Sequence, residues 1–187
     1  MEGYSNTILN SILRNFTISA KDYHFKPLTD GYINDTFMVL DDDKPLYILQ
    51  RVNHTVFKNM EGLMSNIDTA LEKLKDPSYT QITLVKTTGA KTFFENEKGY
   101  WRLMTYIDHS VAYNTTIDPH TAFEAGRIIA RFHILLQDAK VDDFVDTIPL
   151  FHDLAVRKEQ FEMALESANA EKKKLPKRQY CLPKRYW

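Results

Sequence analysis

Hydrophobic periodicity changes character once along this chain, and that change limits the folds open to it. From Tyr23 to Val52 the apolar residues fall in short β-rich runs broken by turn residues. From Asn59 to Lys75 they fall instead at Met60, Leu63, Met64, Ile67, Leu71 and Leu74, the spacing of one helical stripe. Glu61, Asp68 and Glu72 then lie along one flank of that stripe. Two more strand-like segments follow, QITLVKT and the pair TFFEN and YWRLMTYI joined through Glu97-Lys98-Gly99. Beyond them only helical patterns remain. Strands first, helices later and no strand–helix–strand alternation give an α+β fold and exclude a doubly wound parallel sheet.

Local signals place the boundaries. Ser5 is an N-cap for a first helix running to about Asn15, with Ile8, Leu9, Ile12 and Leu13 on one side. Asp30-Gly31 favours positive φ and predicts a tight hairpin between the first two strands. The acidic Asp41-Asp42-Asp43 turn, closed by Lys44-Pro45, separates the second strand from the third, LYILQRV. Pro119 starts a long helix with Ala122, Ala125, Ile129, Phe132 and Leu136 on one face. A last helix spans Phe151 to about Ala170. The expected sheet has five strands, give or take one, with the 59–75 helix packed on it.

Composition excludes several classes. Hydrophobic residues at 43% and charged residues at 26% are globular values. No run approaches the apolar length of a membrane-spanning helix, and the N-terminus lacks the pattern of a signal peptide. One cysteine, Cys181, forms no intrachain disulfide and fits a reducing cytoplasm. The sequons at Asn15, Asn34, Asn53 and Asn114 then read as chance. Residues 172–187 carry seven basic side chains and no acid, against a net −1 for the whole chain. With two prolines and no apolar period, that tail reads as a disordered or aberrant end rather than a nucleic-acid surface.

Familiar catalytic signatures are missing. The six glycines are too scattered for GxGxxG or a Walker loop, and HExxH, CxxC and GxSxG do not occur. His133 reads as a structural residue of the long helix, and His152-Asp153 as a helix-start pair with a capping or surface role. The informative block is LTDGYINDTFMV, residues 28–39, a turn whose backbone N–H groups can lie over phosphates. It is followed by Gln50 and Arg51 on the third strand, of which only one can face a cleft, and Gln50 fits by spacing. An acid, Glu61, opens the next helix, and the strand LMTYI runs into Asp108-His109-Ser110, which suits a connector that pairs with an adenine edge.

GYINDTFMV, YILQRVNHTVFKNMEGLMSNI, YWRLMTYIDHSVAYNT, FEAGRIIARFHILL and TIPLFHDLAVRKEQF together resemble the N-acetylhexosamine 1-kinase-like proteins of the aminoglycoside phosphotransferase and choline kinase superfamily. The resemblance covers residues 5–168 or so and implies a protein-kinase-like N-lobe over 1–107, the first helices of an incomplete C-lobe over 108–171, and an unrelated tail over 172–187. It implies ATP with Mg²⁺ as cofactors and an N-acetylhexosamine phosphorylated at its anomeric hydroxyl. Gly31, Asn34, Asp35 and Thr36 would form the nucleotide loop, and Gln50, with Arg51 beside it, would stand where the superfamily often has lysine. Glu61 would be the helix acid, and Met104, Thr105 and Tyr106 the adenine hinge. The family's His-x-Asp catalytic motif occurs nowhere in the chain, and its later metal-binding Asp has no counterpart. The expectation is therefore a truncated cytoplasmic sugar kinase, inactive alone and prone to self-association through exposed helices. The alternative is a non-catalytic nucleotide- or protein-binding module, with no membrane partner.

Overall fold

The apolar alternation of residues 24–52 becomes three antiparallel strands in the computed structural model, which describes residues 3–113, 115–116, 118–169 and 172. These are β1 (His24–Leu28), β2 (Asp35–Asp41) and β3 (Lys44–Val52). Asp42 and Asp43 make the tight turn between β2 and β3, with Asp42 at φ 52°, a conformation Asp tolerates better than most residues. The register slips between Val39 and Leu40, so Leu40 faces Pro45 at an irregular point of the ladder. A proline, lacking an N–H, is tolerated at such a bulge.

Three further strands complete the sheet: β4 (Leu84–Val85), β5 (Phe94–Asn96) and β6 (Gly99–Thr105). The order is β1-β2-β3-β6-β4, with β5 also on β6, and every pairing is antiparallel. Gly99 closes the β5–β6 hairpin at φ 118°, where a side chain would be strained. Six strands and four α-helices among the described residues make the α+β fold that the periodicity indicates.

Side-chain alternation gives the sheet two different faces. On one, helix α1 (Asn6–Leu13) sets Leu9, Ile12 and Leu13 against Phe37, Val39, Leu49, Trp101 and Leu103, all buried. Ser5 caps α1 by accepting the Ile8 N–H at 3.3 Å. On the other face, helix α2 (Met60–Lys73) sets Met60 and Met64 over Val52, Leu84, Phe93 and Met104, with Leu63, Ile67 and Leu71 partly buried around them. Asn59 caps α2 by accepting the Gly62 N–H at 2.9 Å. Each large apolar side chain so enclosed contributes roughly 1.5–3 kcal/mol.

The two faces belong to a compact unit, Met1–Thr147, which also contains helix α3 (Pro119–Leu135). Asp118 caps α3 through the Thr121 N–H at 2.9 Å. Arg131 of α3 ion-pairs with Asp76, just beyond α2, at 2.7 Å. Hydrogen bonds from Ser78, and then from Arg131, hold the Asp76 carboxyl down to about 2. After α3 and a single 3-10 turn, Val145 is clamped to α2: Asn66 donates to its carbonyl at 2.8 Å and accepts its N–H at 3.0 Å. A Cβ on Gly62 would come within 2.5 Å of Val145 Cγ2 and of Asn59 Nδ2, so glycine makes room for that strap. No residue of α3 is buried, and Phe123, Ile129 and Ile134 are exposed. His133 lies exposed in its last turn beside Phe132.

The second unit, Ile148–Trp187, is described through helix α4 (Leu154–Ser167). Asp153 caps it by accepting the Val156 N–H at 3.0 Å, the capping role read for His152-Asp153. None of its residues is buried. The basic tail after Lys172, with Cys181, lies outside the described residues, as does Asn114. No described helix is long and apolar enough to cross a membrane.

Candidate functional site

The β1–β2 connection departs from expectation. Instead of a tight Asp30-Gly31 hairpin it spans residues 29–34, and Gly31 is not at positive φ. Asn34 explains the wider loop: its side chain accepts the Asn53 N–H at 2.9 Å and ties the loop's end to the segment after β3. Tyr32 and Ile33 are left exposed at the loop.

That loop forms one wall of a cavity of about 500 Å³. Asp30, Gly31 and Thr36 line it on this side, and Thr105, Tyr106 and Ile107 line it on the other. Leu28, Met38, Ile48 and Ile82 contribute apolar surface between them. The second wall begins where β6 leaves the sheet. Thr105 donates its N–H to the Thr83 carbonyl at 2.9 Å, and Tyr106 donates to Leu46 at 3.0 Å. An apolar concavity of this size bounded by a few polar groups is the usual form of a small-molecule site.

The sequence-derived residues divide by strand alternation. Thr36, Gln50 and Arg102 lie in one cross-strand row, as do Met38, Ile48 and Met104, on the α2 face. Gln50 Nε2 donates to Thr36 Oγ1 at 2.9 Å, so Gln50 sits one hydrogen bond behind the cavity wall. Arg51 is on the opposite face. It pairs with Asp35 at 2.7 Å, stacks within 5.9 Å of the Tyr4 ring and lines a separate cavity of about 470 Å³. Gly31, Thr36, Thr105 and Tyr106 therefore meet at one cavity, with Gln50 behind Thr36. Asn34 holds the loop, while Asp35 and Arg51 face away from it. Met104 is buried beneath α2, where it supports the wall from behind.

Glu61 needs a correction. It is exposed in the first turn of α2, and it is not among the partners of Gln50 or Arg51. Gln50 donates to Thr36 and accepts from Arg102 on the neighbouring strands, while Arg51 donates to Asp35 and to the Lys98 carbonyl. The partner of Gln50 is instead Arg102, whose Nε and Nη2 donate to Gln50 Oε1 at 3.0 and 2.6 Å. Burial pushes the Arg102 guanidinium below its ordinary value. Sequence reasoning missed Arg102, although a charged residue alternating with Trp101 and Leu103 in YWRLMTYI was a visible signal.

Among the described residues no three His, Cys, Asp or Glu side chains cluster to hold a metal. Among the described residues lining the cavity Asp30 is the single carboxylate, too few donors to hold Mg²⁺. No family model matches the chain.

Proposed function

We propose that this chain is a nucleotide-binding lobe of the protein-kinase type, from an ATP-dependent sugar kinase resembling those that phosphorylate an N-acetylhexosamine at the anomeric hydroxyl. The observation that carries the reading is the meeting of the 30–36 loop and the Thr105–Ile107 segment across one apolar cavity. Leu28, Met38, Ile48 and Ile82 suit a purine base, and the main-chain carbonyl of Tyr106, whose N–H is taken by Leu46, suits its amino edge. The loop's N–H groups and Thr36 suit the phosphates. Phosphoryl transfer itself depends on oriented acceptor and neutralised charge. The sequence has no His-x-Asp motif to orient an acceptor, and the described residues place no metal donor set in the cavity.

The test is a titration with ATP followed by amide chemical shifts. Shifts should concentrate at Thr36, Thr105, Tyr106 and Ile107. Saturating ATP that leaves those amides unmoved, or moves only residues elsewhere, would sink the reading. With N-acetylhexosamine and radiolabelled ATP, no transfer above background is expected. The exposed Phe123, Ile129 and Ile134 of α3 favour a second reading, a non-catalytic module that contacts a protein, which ATP binding at these amides would displace.

A further inference from the structure

A glutamine amide has an acceptor end and a donor end, and which end faces a neighbour is settled by what the neighbour can do. The guanidinium of Arg102 can only donate. Its two hydrogen bonds to Gln50, at 3.0 and 2.6 Å, therefore fix Oε1 on the Arg102 side and Nε2 on the Thr36 side. Nε2 in turn donates to Thr36 Oγ1 at 2.9 Å, so that hydroxyl is an acceptor toward Gln50. Its own proton is then left to be donated elsewhere, and Thr36 lines the cavity. The row Arg102, Gln50, Thr36 crosses three adjacent strands in register and runs in one polarity, cation at the back and O–H at the cavity.

Arg102 is half-buried, and among the described residues no carboxylate forms an ion pair with it. Glu95, which shares its face from the neighbouring strand β5, is engaged by the Tyr100 side chain opposite it, and Asp35 is taken by Arg51 on the other face. A charge withdrawn from water and left without a counter-charge is costly unless its field serves a ligand. Hydrogen bonds chained to a cation are strengthened along the chain.

We infer that Arg102 is a positioning residue for an anionic group, a phosphate of the ligand, at the Thr36 end of the cavity. It acts through Gln50 rather than by contact: it fixes the amide so that Gln50 and Thr36 present donors. The positive charge that Gln50 lacks is thus supplied from the next strand, β6. The identity of the phosphate's carrier as a nucleotide rests on the function proposed above, so the probes separate the two ideas.

The experiment measures the affinity of the full chain for ATP, adenosine and inorganic tripolyphosphate, for wild type, Arg102→Met, Arg102→Lys and Gln50→Glu. Arg102→Met should weaken ATP and tripolyphosphate by about tenfold, because the Gln50 amide is no longer held with its donor end toward Thr36, and leave adenosine within about twofold. Arg102→Lys should restore part of that loss. Gln50→Glu keeps the sheet paired through an ion pair with Arg102 but turns an acceptor toward Thr36. It should weaken ATP without lowering thermal stability, which covers the case in which Arg102→Met fails to fold. Variants that bind ATP and tripolyphosphate like wild type, or that lose adenosine in equal measure, overturn the inference. A wild type that binds adenosine as tightly as ATP overturns it too and leaves the nucleotide reading standing. Tripolyphosphate binding lost in Arg102→Met, with no binding of adenosine or preference for ATP, supports the inference and removes the nucleotide. A wild type that binds none of the three removes both.

Discussion

Asn10 and Asn66 make the same pair of hydrogen bonds in different surroundings, and replacing each by leucine separates bond count from burial as the source of stability. Asn10, on α1, donates to the Tyr23 carbonyl at 3.0 Å and accepts the Tyr23 N–H at 2.9 Å. Asn66, on α2, does the same to Val145 at 2.8 and 3.0 Å. Asn10 and Tyr23 are 7% and 3% exposed, whereas the Asn66–Val145 clamp is open to solvent. Without Asn10, two main-chain groups lose their partners inside the core, at about 1–3 kcal/mol each. Leucine returns roughly 0.5 kcal/mol of helix propensity at either site. Asn10→Leu should therefore destabilise by about 1.5–5.5 kcal/mol, and Asn66→Leu by about 1 kcal/mol or less because water replaces the lost bonds. Guanidinium unfolding monitored at matched slopes gives the two losses, and the Tyr23 amide should exchange faster only in the Asn10 variant. Losses equal within about 0.5 kcal/mol would refute the argument from burial.

Three other outcomes are expected. Gly62→Ala should lower stability by about 1 kcal/mol in chemical denaturation, against the usual gain of alanine in a helix, because the new methyl displaces the Asn59 cap and Val145. The Asp76 carboxyl, held at about 2 against an ordinary 3.8, stabilises the fold at every pH above its unfolded value. That contribution should vanish as acid is added across that interval, seen as faster exchange in α3, and Arg131→Met should blunt the change. Light scattering should show self-association of the chain, reversed by Phe123→Glu with Ile129→Glu, since both side chains are exposed.

The fold was legible where one periodicity ran uninterrupted. The stripe Met60, Leu63, Met64, Ile67, Leu71 specifies both a helix and the face it buries, and Ser5, Pro119 and Asp153 sit at or beside the helix starts seen. Alternation alone also puts Gln50 and Arg51 on opposite faces, although Gln50, expected in the cleft, does not itself line the cavity. Two things were not legible. The Asp30-Gly31 turn opened because Asn34 found a partner, Asn53, nineteen positions away, which no local propensity encodes. Glu61 was assigned to Gln50 by order along the chain, yet sheet register places Arg102 beside Gln50 across 52 positions. Cross-strand neighbours are fixed by pairing, and pairing is known only once the strand order is.

The cavity's two walls differ in how freely they can change. One grows from β6, which pairs with β3, β4 and β5 and carries Trp101 and Leu103 with no exposed surface. A substitution there disturbs three ladders and the packing on both faces. The other is the 29–34 loop, outside the ladder, with Tyr32 fully exposed. Replacements along it, Asn34 apart, cost little stability. A laboratory selection for altered ligand preference should therefore accumulate its changes in the loop and leave β6 untouched, so that this cleft diversifies from one side only.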